Sequence, residues 1–474
     1  MAAPYLEPTP ITTPAYDEPA AYRELITRFG GALLHPVDPD YDERRRIWNG
    51  AIDRRPALIA RCSGPDDVRT AIRYARRTGI EVAVRGGGHS FPGHSTVDGG
   101  LVVDLSAMNR IRVDPGRRTV RAQAGALLGD LDRVTQPHGL AVPSGIVTHT
   151  GIAGLTLGGG LGWLMRKHGL TIDNLLSVKL ITASGDVATA SATENAELFW
   201  GVRGGGGNFG VVTEFTYRLQ PVGPTVLAGP IFWAVEDSPA VMRFYRDWIA
   251  DAPDELTTIV IHRKAPPIPA VPEELHGKPV VAVTCCWVGD LEAGERRLEP
   301  LRRFGTPLLD LCAPKPFVDH QAMFDPSYPA GRWYYFRSCD LATLSDGAID
   351  GLAASAAEIE SPHTSIPLFQ LGGAVARVDE DDTAFTGRRS AHTVNIACAT
   401  EGPAGFDAER DWLERTWSRL EPYSTSTYVN FLMDEGTDRI RATYGPAKYA
   451  RLQALKRTYD PDNLFRRNQN VPPN

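Results

Sequence analysis

Three runs of glycine within the first 210 residues constrain this chain more than any other feature of it. The first reads Arg85-Gly86-Gly87-Gly88-His89-Ser90 and follows an apolar run, Ile80–Val84, that Gly79 sets off on its other side. Such a run reads as a buried strand. Three glycines after it let the backbone visit positive φ and approach a ligand closely. Successive N–H groups in such a turn form an anion-binding concavity suited to a pyrophosphate. His89, at the lip, is then a nucleophile beside whatever the loop holds. Alone, the motif is better explained by a tight turn with a hydrogen-bonded surface histidine; the rest of the sequence reverses that.

The second run spans Pro143 to Gly169, with glycines at 145, 151, 154, 158, 159, 160 and 162. Each costs about 1 kcal/mol against alanine in a helix, so the density argues against a regular one. It predicts backbone lying flat against something large, such as a planar ring system. Ile152, Leu155, Leu157, Leu161 and Trp163 are interleaved, which excludes a flexible linker. The third run, Arg203–Gly210, contains a literal Gly-x-Gly-x-x-Gly at Gly205, Gly207 and Gly210. A dinucleotide fingerprint of the Rossmann type follows a strand and opens a helix. Here the glycines lead into Val211–Tyr217, which alternates like a strand, and the Rossmann reading is rejected.

At 474 residues the chain is too long for one core and implies two domains or three. A formal charge of −7 with no basic stripe excludes a nucleic-acid binder. No apolar run approaches the roughly 18 residues of a membrane span. The start, Met1-Ala-Ala-Pro-Tyr5, lacks the pattern of a secretion signal, so a cytoplasmic address is expected. The six cysteines have no Cys-x-x-Cys spacing, which speaks against a zinc site or a disulfide framework and for a reducing compartment. Zincin, α/β-hydrolase and P-loop motifs are absent, and no metal is expected.

In chain order, residues 1–20 are expected to wrap the surface or fray. Pro65 and the spacing of Val68, Ala71, Ile72 and Ala75 predict a helix closed by Gly79. Short strands are predicted at Leu101–Leu105, Ile111–Val113 and Thr119–Ala124, a helix at Leu127–Val134, and a hairpin at Val178–Ala183 and Asp186–Ala190. Beyond residue 222 come β-like runs at Pro279–Val288, Arg332–Arg337, Ile366–Val378 and His392–Ala399. Amphipathic segments Val241–Ile249 and Asp411–Leu420 lie among them, so an antiparallel sheet backed by helices is predicted. The proline-rich loop Ala265–Pro272 is expected to be exposed. Tyr428–Leu432 has strand periodicity, which would put Tyr428 and Asn430 on one face. A helix over Pro446–Tyr459 is halted by Asp460-Pro461.

Together with Asp-Pro-Asp-Asn-Leu-Phe-Arg at 460–466, the motifs at 85–90, 150–160 and 206–212 resemble those of the FAD-linked oxidases of the vanillyl-alcohol-oxidase type, within them the berberine-bridge-enzyme-like group. The resemblance implies an α+β chain. Its PCMH-type FAD-binding domain would be built from both chain ends, 1–222 and 426–474, and residues 223–425 would form a substrate domain whose sheet roofs the flavin. It implies an 8α-histidyl bond between FAD and His89. Val147 stands where many relatives carry a second, cysteinyl link, and no cysteine lies between Cys62 and Cys285. The chain is thus similar to the mono-covalent, 6-hydroxynicotine-oxidase-like members and to flavoenzymes that tailor aromatic polyketides.

By the same resemblance, Arg85 and the N–H groups of Gly86, Gly87, Gly88 and Ser90 would hold the pyrophosphate. Backbone from Val147 and Thr148 through Gly151 to Gly154 would touch the isoalloxazine edge. Gly160, Gly207, Gly210, Val212, Asn430 and Asn468 would complete the cofactor site. Thr150 and Leu155 would stand near the reactive centre, where O2 arrives. Tyr428 would be the catalytic base, although a phenol of pKa about 10 needs a lowered value or concerted hydride loss to act near pH 7; the alternative is a buried, hydrogen-bonded tyrosine. Gln370 would orient substrate, His149 would be structural, and Tyr335 and Arg337 would line the substrate wall.

Independently of any relative, a neutral imidazole is a competent nucleophile near pH 7, and alkylation of this kind would raise the flavin's potential. The expected activity is an oxidase that takes hydride from a C–H next to O or N of a small aromatic or alicyclic substrate and passes the electrons to O2, giving H2O2. The alternatives are a flavin-dependent oxygenase or oxidative cyclase, and a non-catalytic flavoprotein that sequesters an aromatic ligand. Oligomeric state stays open.

Overall fold

A computed structural model describes residues 18–474, so most of the expectation for residues 1–20 lies outside the described residues. Glu18–Arg28 is a helix, and the first helix expected from the sequence follows at Pro65–Thr78, with Pro65 in its first turn and Gly79 closing it at φ 71°. Val68, Ala71, Ile72 and Ala75 are wholly buried along one side. Burying a valine or isoleucine is worth about 1.5–3 kcal/mol, which fixes that face inward.

The helix crosses over a four-stranded sheet in the order 32–34, 58–61, 101–104, 82–85. Its inner pairs are parallel and its first strand is antiparallel. A second, antiparallel sheet of five strands runs 111–114, 119–123, 211–218, 175–181, 187–191. It contains the predicted hairpin, and its central strand Val211–Arg218 follows the third glycine run directly.

From Thr225 onward the chain builds a nine-stranded antiparallel sheet. Helices Ser238–Trp248, Asp346–Ala357 and Phe406–Leu420 share a hydrophobic core with one of its faces. Its other face carries Ile259, Ile261, Phe369, Tyr334 and Phe336 toward the rest of the molecule. Residues 21–219 and 429–471 contribute to one further shared core.

Four local expectations need correction. The second glycine run does hold a helix, Ile152–Gly158, although only seven residues long. The run after Ile366 is a strand only to Gln370; Gly372 and Gly373, both at positive φ, turn it into the short helix Ala374–Arg377. Tyr428–Leu432 is no strand but a 3-10 turn over Val429–Phe431. Ala265 and Val271 bury the two ends of the proline-rich loop, leaving only its tip exposed.

The motif at 460–466 acts as a buried clamp. Asp460 accepts from Leu464 N–H and Phe465 N–H at 2.8 Å each and pairs with Lys456 at 2.7 Å. Lys456 also donates to the carbonyls of Asn208 and Phe465. Both charges are wholly buried, so their stability depends on this complete satisfaction.

Candidate active site

The aromatic face of the large sheet and the glycine runs enclose one extended cavity of about 1910 Å³, open solvent at its mouth included. Its lining is drawn from all three glycine runs, the large sheet and the C-terminal segment, an extent that suits a long ligand.

The first two glycine runs cross at Gly87 and Gly151. A Cβ on Gly87 would stand 2.5 Å from Gly151 N, and one on Gly151 would stand 2.4 Å from Gly87 N. Only glycine at both positions permits the approach. The crossing brings His89 from one run against His149 from the other, Nε2 to Nδ1 at 3.2 Å. Trp48 stacks on the His89 ring with centroids 4.2 Å apart, and Tyr334 of the sheet stacks on Trp48 at 3.9 Å. Burial, with His149 adding to it, pulls the His89 pKa down to about 3, so the imidazole is neutral at physiological pH.

Gly86, Gly87, Gly88, His89 and Ser90 all line the cavity. So do Val147, Thr150, Gly151, Gly154 and Leu155 of the second run. Gly207, Gly210 and Val212 of the third run face it too, with Tyr428, Asn430 and Asn468 from the C-terminal segment.

Three expected cofactor residues stand elsewhere. Arg85 turns away and binds Asp104 at 2.5 Å and the carbonyl of Arg44. Strand alternation explains it, because Val82 and Val84 take the cavity side. Thr148 is tied to the Asp325 carboxylate through both its N–H and its hydroxyl. Gly160 lies behind the wall and donates its N–H to Tyr428 Oη at 2.9 Å.

Alternation also overturns the expected role of Gln370. Pro367 and Phe369 line the cavity, whereas Gln370 points into the helix-backed side and accepts from Thr258 Oγ1 at 2.8 Å. Tyr335 and Arg337 likewise face the helix Phe406–Leu420, under Arg410 and over Trp417 respectively, while Phe336 takes the cavity side.

Tyr428 is in the cavity wall, but its oxygen accepts from Gly160 N–H and from Asn430 Nδ2 at 2.8 Å. Burial, only partly offset by these bonds, pushes its pKa up to about 12. A standing phenolate base at neutral pH is therefore excluded; with two donors on its oxygen, the hydroxyl itself is free to donate. Asn430 reaches Tyr428 across the 3-10 turn, not along a strand face.

Several cavity residues escaped the sequence reading: Trp48, Phe91, His94, Asn395, Phe431 and Arg467. An isolated aromatic or asparagine carries no periodic signal. Two stood in recognisable places, Phe431 within Tyr428–Leu432 and Arg467 directly after the last motif.

Residues 56–191 match the family model described as an FAD binding domain, and residues 427–472 match the one described as berberine and berberine like. An FAD-linked oxidoreductase of Dictyostelium discoideum is 33% identical over 454 residues, covering 95% of this chain and 96% of its own. The chain belongs to the FAD-linked, berberine-bridge-enzyme-like oxidases. A further member, (R)-6-hydroxynicotine oxidase of Paenarthrobacter nicotinovorans, is 32% identical over 459 residues, with 94% and 97% covered. The crystal structure of 6-hydroxy-D-nicotine oxidase from Arthrobacter nicotinovorans superposes with a TM-score of 0.84 at 30% identity, covering 94% of this chain and 98% of that one. Glucooligosaccharide oxidase of Acremonium strictum, described with a 6-S-cysteinyl, 8α-N1-histidyl FAD, shares the fold at 22% identity, with 96% of this chain and 99% of that one covered and a TM-score of 0.84.

The site fits FAD. Of the residues lining the cavity, His94, Ser95, Asn395 and Asn468 each carry a buried polar side-chain atom without a protein partner, and such atoms call for a polar ligand. The glycine-loop N–H groups suit the pyrophosphate, and the arginine that lines the cavity is Arg467 in place of Arg85.

Proposed function

We propose that this FAD-dependent oxidoreductase is an oxidase that carries its flavin on His89 and takes hydride from a C–H next to nitrogen in a small, uncharged, ring-bearing amine. One observation carries the choice of nitrogen over oxygen: among the described residues lining the cavity there is no carboxylate, Tyr428 there is a phenol of pKa about 12, and burial holds the His94 ring at a pKa of about 4, which makes it a poor proton acceptor. Oxidising an alcohol requires a base for the departing O–H proton. An amine expels hydride with its own lone pair and needs none.

The wall supports the rest of the substrate. Trp48, Phe91, Phe336, Phe369 and Phe431 make a largely apolar, aromatic surface, which favours a flat ring. Tyr428, with its proton free, orients the amine or a ring substituent by donating to it. The relative named for 6-hydroxynicotine supports an aromatic amine in this fold.

FAD supplies the hydride acceptor at this site. His89 holds it through a single 8α link: none of the six cysteines, all free and buried, lines the cavity, and Val147 occupies the wall. Those free thiols also support a reducing, cytoplasmic address. The electrons would pass to O2, admitted where Thr150 and Leu155 line the cavity, and leave as H2O2.

The test is an anaerobic panel of cyclic secondary and tertiary amines beside alcohols of the same ring skeleton, followed by flavin bleaching. Amines are expected to bleach the flavin and alcohols not; the reverse pattern overturns the proposal. In air, one H2O2 per turnover is expected, whereas ¹⁸O from ¹⁸O2 appearing in the product would make the enzyme an oxygenase.

A further inference from the structure

We propose that His149 is a positioning residue for the flavin attachment itself: it holds His89 in the reactive tautomer and accepts the proton that His89 must lose. The proposal rests on the covalent link at His89 argued above. The two rings meet Nε2 to Nδ1 at 3.2 Å. Between two neutral imidazoles in contact, one nitrogen carries the proton and the other accepts it. If His149 Nδ1 accepts, the His89 proton sits on Nε2 and the Nδ1 lone pair is left to attack; the backbone of His89 itself, which favours a proton on the ring, is the competing partner that His149 must outweigh. Trp48, stacked flat on the His89 ring, resists the rotation that would exchange the two nitrogens.

His149 is equipped to take the proton. The groups facing it are His89 from the glycine loop, and Asp325 and the Tyr328 backbone from the segment 325–328. Burial lowers its pKa below the ordinary 6.5, but the Asp325 carboxylate and the Tyr328 backbone both favour the protonated ring. Asp325 is in turn fixed by Thr148, one residue before His149. The chain thus spends a threonine that the sequence assigned to the cofactor on steadying the acceptor instead.

The step balances as follows. A bond forms between His89 Nδ1 and the 8α carbon; a C–H bond at that carbon breaks, its proton going to solvent and its electron pair staying in the ring system. The Nε2 proton of His89 passes to His149 Nδ1. O2 then removes the electron pair with two protons as H2O2, leaving a neutral, alkylated imidazole.

The experiment uses the full chain expressed in a riboflavin-starved host and mixed with FAD in air. Attachment is followed by acid precipitation and by the intact-mass increment, and non-covalent uptake by flavin fluorescence. His149→Gln keeps an acceptor oxygen but cannot hold a proton. It is expected to bind FAD as the wild type does, yet to attach it some 10²–10⁴-fold more slowly at pH 7. The wild-type attachment rate is expected to level off above the His149 pKa, while that of the variant keeps rising with pH. Imidazole in the buffer is expected to restore the rate in His149→Ala. Attachment by His149→Gln at the wild-type rate, or coinciding pH profiles, overturns the proposal. His89→Ala tests the other claim separately: if it still carries covalent FAD, or the wild type carries none, the link at His89 is wrong and the role of His149 falls with it.

Discussion

Gly154→Ala separates what the second glycine run does for the fold from what it does for the cofactor. Gly154 is the third residue of the helix Ile152–Gly158, its φ is not positive, and a Cβ built on it meets no atom within 4 Å. Alanine is the better helix former by about 1 kcal/mol, so the apoprotein gains up to that amount and its Tm rises by no more than ~4 °C. The empty space is the cavity itself. A ring packed on the backbone there sits at the roughly 3.5–4.0 Å of van der Waals contact, and a methyl would push it back by about one C–C bond, ~1.5 Å. Overpacking of this kind costs about 1–3 kcal/mol, or roughly 5- to 150-fold in FAD affinity. Gly87→Ala is the contrast, since its Cβ meets backbone at 2.5 Å and the protein itself should fail to fold stably. The assay is FAD titration by fluorescence quenching beside thermal unfolding of the apoprotein. If Gly154→Ala binds FAD like the wild type, the flavin does not lie on this helix; if it lowers apoprotein stability, the side of Gly154 is not open.

Tyr428→Phe strands two donors, Gly160 N–H and Asn430 Nδ2, and should lower stability by about 1–3 kcal/mol. Its anaerobic flavin-reduction rate should fall less than ~10-fold with no pH limb lost, because a general base would have been worth ~10²–10⁴. Lys456→Met leaves Asp460 buried without its cation and should cost ~3–5 kcal/mol in urea denaturation. Burial pushes Asp132 up from 3.8 to about 7. Between those values the folded chain binds the proton and the unfolded chain has lost it, so this group makes stability fall as pH rises through the window. Asp132→Asn should therefore gain stability relative to the wild type between pH 5 and pH 8, read from urea midpoints at both; an unchanged difference would show that Asp132 is not held protonated.

Backbone-level features were the most legible. The helix Pro65–Thr78, the hairpin around Gly185 and the rejection of a Rossmann turn all follow from glycine, proline and period, which are local properties. The failures were of two kinds. Glycine density was read as arguing against a regular helix, but burial of Ile152, Ala153, Thr156 and Leu157 holds seven residues helical against their propensity. Likewise the strand reading of Tyr428–Leu432 could not anticipate that Asn430 Nδ2 also donates to the Leu155 carbonyl, which draws that segment into a turn.

The second kind concerns side-chain direction, and it has one cause. Arg85, Gln370, Tyr335 and Arg337 each lie on a correctly located strand and each point to the face opposite the expected one. A strand presents successive residues to alternate faces, so an error of one position exchanges cavity for core. On these strands both faces are buried, and polarity alone cannot say which is the site. The residues that do face the cavity there, Val82 and Val84, Pro367 and Phe369, and Phe336, are apolar and look like core. That is the physical character of the site: these three strands contribute packing surface, while the polar groups of the cavity lining come from glycine backbone, from loop residues such as His94, Asn468 and Arg467, and from Asn395 on a neighbouring strand. Seeking polar residues on these strands therefore selects the wrong face, and the same apolar parity helps to leave the described residues of the cavity wall without a carboxylate, on which the proposed preference for an amine depends.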